Sequence, residues 1–432
     1  MPELAMNQRA TESTHRLLHA AAVCDATGIS AAPGAVLTRG GRVVRSGSLE
    51  HLDAFCERHG ISPTIEKRWR SHLLVPALVN AHAHLDLTHA PATPYRGNFT
   101  AWLEHVISHR TQDPALVREA VRHGLELSRA AGVGVVGDVA GSRTAVEARM
   151  AAEAEAASGS PEEQRGVSFL ECFGIGNGGV ARLMETAAGL LDVEPACGVR
   201  RGLSPHAPYS VSPEAYDAAA AFARRHGLAL QTHAAETAEE VEFTQNATGS
   251  FAAMLQRLGR WESHTKGTGQ HPIDLLANRL SPPASLVHCN VAEQRHFDVL
   301  ARSGLAVVYC PRASAYFGHR DHPYREMLDA GVRVALGTDS ILCHDARDAS
   351  AMSILEEMRL LHRRDGTHPE RLLAMATLHG MAALGLDPNH ATLAEGAPAR
   401  FTAIPIDDKM DDPLADAWTS DVAPELVEAA VL

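Results

Sequence analysis

The sequence has no uninterrupted apolar run of about 18 residues, the length a membrane-spanning helix needs. Its opening residues, MPELAMNQRATESTHR, lack the apolar core of a secretory signal. A cytoplasmic protein with no membrane partner is therefore expected. Basic residues are not in excess: 39 Lys and Arg stand against 52 Asp and Glu, a net charge of −13. That balance argues against nucleic acid as a partner, because phosphate backbones are bound through surplus cations. The acidity serves solubility instead. Paired cysteines are also missing. There are seven, an odd number, with no C-x-x-C, which excludes a disulfide framework and suits reduced thiols. The glycine-rich GIGNGG at 174–179 lacks the lysine of a P-loop and reads as a loop. No internal repeat or low-complexity tract is found.

What is present is length, ordinary hydrophobicity and histidine. A chain of 432 residues suits one large α/β domain with a smaller companion. The 25 histidines are many. At that frequency an H-x-H pair arises by chance about once, so any such pair needs structural context.

The context is a repeated strand–helix rhythm. Candidate strands are Leu73–Asn80, Gly132–Val139, Val167–Phe173, Gly198–Ser204, Leu228–Thr232, Ala284–Val287, Leu305–Tyr309 and Val332–Gly337. Helical patterns lie between them. In SPEAYDAAAAFARRHG, Ser212 is placed to cap, Pro213 to begin and Gly227 to stop a helix. PALVREAVRHGLELSRAAG has apolar residues at three- and four-residue spacing and ends at Gly132. Eight such units fit a (β/α)8 TIM-like barrel over residues 73–390, with a doubly wound open sheet as the alternative that periodicity does not separate. The flanks, 1–72 and 391–432, carry short alternating runs. They are expected to pair into a small β-sandwich domain built from both chain ends, with RGGR as a hairpin turn. The acidic DDKMDDPLADAW reads as a solvated loop, and residues 259–274 as an exposed insertion after the fifth strand.

Polar residues end these strands. In a barrel they face the mouth, where sites are built. His82 and His84 follow the first strand, and the period of two in extended chain turns both to one side. His206 follows the fourth strand, His233 and Glu236 the fifth, His288 the sixth and Asp339 the eighth. Imidazoles with a carboxylate suit zinc or a similar divalent ion. Such an ion lowers the pKa of a bound water toward about 7, and Glu236 stands close enough along the chain to carry protons without being a ligand. Each residue has a plainer reading. A single histidine is usually a surface or hydrogen-bonded residue, Glu236 suits a helix N-terminus, and Asp339 could cap the next helix. His206 could simply pack between its flanking prolines. Trp102, in NFTAWLEH, stands either at the mouth or in the core beside the following helix. Five strand ends of the right type in one chain outweigh these readings together.

These residues carry a resemblance. LVPALVNAHAHLDL, SPHAPYS, THAAET, LVHCN and VALGTDS, in this order, resemble the amidohydrolase superfamily, specifically its metal-dependent deaminase and chlorohydrolase branch. With GNFTAWLEHVI and CPRASAYFGHRDHPYREMLDAGVRVALGTDS, the chain looks most like aminodeoxyfutalosine deaminase-like proteins. The resemblance implies His82, His84, His233 and Asp339 as metal ligands, and Glu236, His288 and Asp339 as catalytic residues. It implies His206 as a substrate contact, with Trp102 the second substrate-contact candidate from its position. No strand end carries the lysine that bridges binuclear relatives, so one divalent ion is implied: zinc, with iron and manganese suited to the same ligands. The implied reaction is hydrolysis of a non-peptide C–N bond, deaminating a small adenine nucleoside-like substrate of the aminodeoxyfutalosine type. The rivals are an amidase, cyclic amidase or chlorohydrolase and, in another class, a non-catalytic metal-stabilised binding protein. Barrels of this sort are often homodimers. The sequence departs from relatives at Arg312-Ala313-Ser314, where Arg-Ser-His is frequent, and at ILCHDARD after Asp339-Ser340.

Overall fold

The computed structural model describes residues 14–91, 94–156, 164–196, 198–260, 266–344, 350–407 and 412–428. Residues 261–265 of the expected insertion, 345–348 of the ILCHDARD departure and 408–411 of the acidic stretch lie outside these.

Eight parallel strands run in sequence order: Leu78–Ala83, Val133–Ala140, Gly166–Cys172, Val199–Pro205, Ala229–Ala234, Ala284–His288, Ala306–Tyr309 and Val334–Leu336. The eighth returns to the first. The amides of Thr338 and Asp339 both donate to the carbonyl of His82 (3.0 Å each), and Ala83 bridges Asp339 in parallel. This is the barrel rather than the open sheet. Gly337 permits the seam, because a Cβ there would sit 2.8 Å from the Cβ of His82 and 3.0 Å from its carbonyl oxygen.

The helices form where their end signals stand. Pro213–His226 is capped by the Ser212 hydroxyl, which accepts the Ala215 N–H, and ends at Gly227 in the left-handed region, φ 63°. Pro114–Ala130 buries Val117, Val121 and Leu125 on one face. The bottom of the barrel is plugged: Val79, Val135, Val167 and Phe169 from strand starts pack with Met381 and Leu384 near the helix Leu378–Ala383. The opposite end, at the strand C-termini, is left for polar residues.

Three expectations change. The apolar run over Leu73–Asn80 is two strands, not one. Leu73–Pro76 completes the long strand Thr64–Pro76 and pairs antiparallel with Phe401–Ile404, and the barrel strand begins only at Leu78. Both halves are buried, so nothing in the hydrophobic pattern marks the break, and the small sheet extends four residues past the expected division at 72/73. The flanks join into a single seven-stranded sheet instead of a sandwich of two. One face is covered by the helix Leu49–His59, whose Leu52 and Cys56 pack on Leu17, Ala35 and Leu37, so a helix takes the place of a second sheet. The other face clusters Leu18, Val36, Trp69, Phe401 and Val427. RGGR does turn the hairpin between Gly34–Arg39 and Arg42–Ser48, with Gly40 and Gly41 both at positive φ. Last, the described part of the acidic stretch contains a helix, Pro413–Thr419, capped by Asp412. Its Ala417 and Trp418 are fully buried against the core, which a run dense in Asp concealed.

Candidate active site

The strand ends bring the sequence candidates to one place. His82 and His84 leave the first strand on the same side, with ring centroids 4.9 Å apart. His233, from the fifth strand, lies 5.1 Å from the His82 ring and 5.5 Å from that of His84. Asp339 Oδ1 is 3.6 Å from His82 Nε2 and 3.5 Å from His84 Nε2. His288 Nε2 lies between two carboxylates, 3.6 Å from Glu236 Oε1 and 4.0 Å from Asp339 Oδ2. All six residues are buried. Among the described non-glycine residues, positive φ occurs at Ala235, Ala247, His288, Cys289 and Asp339, and all but Ala247 border this cluster. Backbone held in that region is costly and persists where the surroundings enforce it.

The donor chemistry fits a divalent ion. His82 Nδ1 is 2.7 Å from Gln231 Oε1, an acceptor, because the Gln231 amide nitrogen donates to the Ala81 carbonyl (3.0 Å) and Ser285 Oγ (3.1 Å). The proton of His82 is thus on Nδ1, and Nε2 keeps a lone pair, buried with no hydrogen-bond partner. His233 Nδ1 likewise donates to the His206 carbonyl at 2.9 Å. Such partners fix the tautomer of a metal-ligating histidine. Burial, above all, lowers the pKa of His84 to about 4, and burial likewise lowers His233, so both rings are neutral lone-pair donors. Burial alone would raise Asp339. The adjoining His82, His288 and His84 outweigh it and hold the carboxyl well below its usual range. Donor atoms of His82, His84 and Asp339 lie within 4.8 Å of one another, as do those of His82, His233 and His288.

Glu236 differs in kind. Burial, then Asp339 and Glu240, push its pKa well above its ordinary value, the direction a proton donor needs. His288 is lowered to about 3, chiefly by burial.

The cluster opens on a mostly apolar cavity of about 810 Å³. Trp102 lines it, half-buried against Phe317 (ring centroids 4.9 Å). His206 lines it nearer the cluster, its Nδ1 paired with Ser210 Oγ (2.7 Å) and its Nε2 3.7 Å from Glu171 Oε1. Several residues of the site were missed in the sequence. Glu171 ends the third strand and is held by Arg110 (2.9 Å), which also grips Asp86 (2.8 Å). Gln231 is a lone amide in the buried strand ALQTHA, a visible signal. Glu240 stands three residues after the cap Thr237, a capping-box spacing. Arg110 gave no signal, since its partners lie 24 and 61 residues away.

Known proteins resemble this chain in sequence and in fold. The chain is 29% identical over 345 residues to a 5-methylthioadenosine/S-adenosylhomocysteine deaminase of Moorella thermoacetica, covering 75% of this chain and 71% of the relative. It is 27% identical over 387 residues to an aminodeoxyfutalosine deaminase of Deinococcus radiodurans, covering 86% of each. In fold it matches the crystal structure of Helicobacter pylori aminofutalosine deaminase, with a TM-score of 0.76 and 19% identity over 95% of this chain and 98% of that one. It also matches an atrazine chlorohydrolase of Arthrobacter aurescens TC1 complexed with zinc, with a TM-score of 0.72 and 22% identity over 94% and 91%. No described helix is long and apolar enough to cross a membrane. A barrel closed through His82 and Asp339, with its histidines and acids gathered at that seam, agrees with the family model that matches residues 73–427: this chain belongs to the Amidohydrolase family.

Proposed function

We propose that the protein is a metal-dependent aminohydrolase that removes the amino group from an adenine nucleoside-like substrate. The observation that carries this is the placement of the Glu236 and Asp339 carboxyls on either side of His288, 3.6 and 4.0 Å from its Nε2, beside the clustered donor atoms of His82, His84 and His233. Two carboxyl groups whose surroundings push their pKa values in opposite directions are suited to divide the roles of acid and base.

His82, His84, His233 and Asp339 would hold the divalent ion, zinc by preference, in agreement with the zinc in the chlorohydrolase neighbour. When bound there, the ion supplies water activation at neutral pH and charge stabilisation. Asp339 takes the proton that water loses as its oxygen bonds to the amino-bearing ring carbon. His288 orients that oxygen and steadies the charge developing on it. Glu236 gives its proton to the adjacent ring nitrogen, recovers the second water proton from the added hydroxyl as the carbonyl forms and passes it to the amine, which leaves as ammonia; the proton held by Asp339 then restores Glu236. The surrounding burial strengthens each of these interactions. Phe99, Trp102 and Leu103 offer the base and its substituent an apolar wall, while His206 and Glu171 offer polar contacts. The deaminase relatives support an adenine nucleoside, with an aminodeoxyfutalosine-type compound among the first to try. A homodimer is the assembly we propose, to be checked by light scattering.

The test is ammonia release by zinc-loaded protein from a panel of adenine nucleosides, run beside cyclic amides and chlorotriazines. Ammonia from a nucleoside is expected. Chloride from a triazine, or cleavage of an amide, with every nucleoside left intact would replace the deaminase reading with a rival hydrolase. Zinc bound with no turnover on any member would favour a binding protein.

A further inference from the structure

The turn that carries Glu236 is held from both sides, and the holding groups are not otherwise used by the chemistry. The fifth barrel strand ends at Ala234, and the helix Ala238–Asn246 begins after the cap Thr237. Between them the chain reverses through Ala235 at φ 50°, in the left-handed region that a side chain disfavours. Glu240, at the third helical position, has the spacing of a capping box, whose carboxylate ordinarily returns to the amide of the capping residue. Here it reaches further. Glu240 Oε1 accepts the Ala235 N–H and Oε2 the Glu236 N–H, both at 2.8 Å, while the Thr237 hydroxyl accepts the Glu240 N–H at 3.2 Å. On the other side the Asn290 amide donates to the Glu236 carbonyl at 3.2 Å. Asn290 is itself fixed by the Ser314 hydroxyl, which donates to its Oδ1 at 2.7 Å.

Glu240 is fully buried, and among the described residues no cation pairs with it. A buried carboxylate without a counter-ion is expensive unless hydrogen bonds compensate it. An ordinary helix cap is made by exposed residues at no such cost. Here backbone amides of consecutive residues supply the compensation, and those residues include the one bearing the proposed proton carrier.

We infer that Glu240 is a positioning residue: by clamping the amides of residues 235 and 236 against the Asn290–Ser314 support, it fixes the direction in which the Glu236 carboxyl enters the site. This rests on the reading of Glu236 as the proton carrier. Removing the clamp leaves the ligands His82, His84, His233 and Asp339 in place but lets the Glu236 carboxyl wander. A misplacement near 1 Å costs about 10²-fold in rate.

The experiment uses the full-length, metal-loaded protein and the best nucleoside from the panel. Four variants are compared with the wild type: Glu240→Ala, Glu236→Gln, the two combined, and Asn290→Ala. Metal content and thermal midpoint are recorded for each. Glu240→Ala is expected to lower kcat by about 10- to 10²-fold, with KM within about threefold and metal stoichiometry unchanged. In the Glu236→Gln background the same change should cost less than about twofold, because the group being positioned is already disabled. A merely structural role would cost the same in both backgrounds. The inference is overturned if Glu240→Ala keeps kcat within threefold of wild type, or if its loss is equally large without Glu236. Should Glu240→Ala not fold, Asn290→Ala, alone and with Glu236→Gln, carries the same comparison, and either of those two results overturns the inference there as well. A Glu236→Gln protein turning over at the wild-type rate would overturn the proton-carrier reading and this inference with it. A disabled Glu236→Gln beside an active Glu240→Ala would overturn the inference alone.

Discussion

At the scale of single residues, the site depends on groups that never touch substrate. Gln231 decides which nitrogen of His82 is free, because its own amide is locked by the Ala81 carbonyl and Ser285. Gln231→Ala should therefore weaken metal binding by about 10- to 100-fold, the range for lost partners of ligating histidines. Competition against a chromogenic chelator measures it, and unchanged affinity would show that the tautomer is set elsewhere. Asp138 offers a second test. Burial, then the charge of Asp86, raises its pKa to about 6, while the Leu85 N–H and Ser168 hydroxyl donate to it. Its folded pKa exceeds the ordinary 3.8, so its contribution to stability is fully present below that value and is lost as pH rises through 6. Asp138→Asn, neutral throughout, should match the wild type in thermal midpoint near pH 4 and exceed it near pH 8. Parallel curves for the two proteins across that range would refute the assignment. His82, His84, His233, Glu236, His288 and Asp339 were legible in the sequence because each ends an apolar run. Arg110 and Glu171 were not, because a pairing across 61 residues exists only once the barrel has formed.

At the scale of elements, legibility follows the strength of local signals. Helix limits marked by a cap and a glycine, as at Ser212 and Gly227, coincide with those observed. Seven of the eight expected barrel strands overlap the observed ones with ends shifted by two residues or fewer, because turns and helices interrupt the apolar pattern on both sides. The exception is Leu73–Asn80, where two strands in different sheets share one continuous apolar run and only tertiary pairing divides them. The helix Pro413–Thr419 was hidden differently, since its few apolar residues sit among aspartates. Yet this short helix docks firmly: Trp418 is fully buried, and the Arg359 guanidinium donates to the carbonyls of Ala417 and Val422. Trp418→Ala should cost about 3–5 kcal/mol by emptying a large core position. Chemical denaturation would report the loss, with kcat of the folded fraction unchanged because Trp418 is far along the chain from the cluster and does not line the cavity. A loss under 1 kcal/mol would mean that the element is peripheral to stability.

At the scale of the whole molecule, the candidate metal cluster and the closure of the barrel are one feature. His82 and His84 leave the first strand, Asp339 follows the eighth, and the seam between those strands holds the two amide bonds to the His82 carbonyl, the bridge from Ala83 to Asp339 and the side-chain bonds between Asn80 and Thr338. The other strand pairs have longer ladders, such as seven paired residues between the third and fourth strands. A divalent ion shared by His82, His84, His233 and Asp339 would therefore lock the barrel at a seam whose backbone ladder is a single bridge. Binding to the native state alone stabilises by about 4 kcal/mol when the free ion exceeds its dissociation constant a thousandfold. Chelation should lower the thermal midpoint by several degrees and abolish turnover together, and added zinc should restore both. The loss should also be local. Hydrogen exchange after chelation is expected to quicken first in Leu78–Ala83 and Val334–Asp339, while Gly166–Cys172 stays protected, since local opening follows the weakest cooperative unit. Exchange that rises evenly around all eight strands would show that the ion stabilises the fold without closing it, and an unmoved midpoint would show that the four residues hold no ion at all.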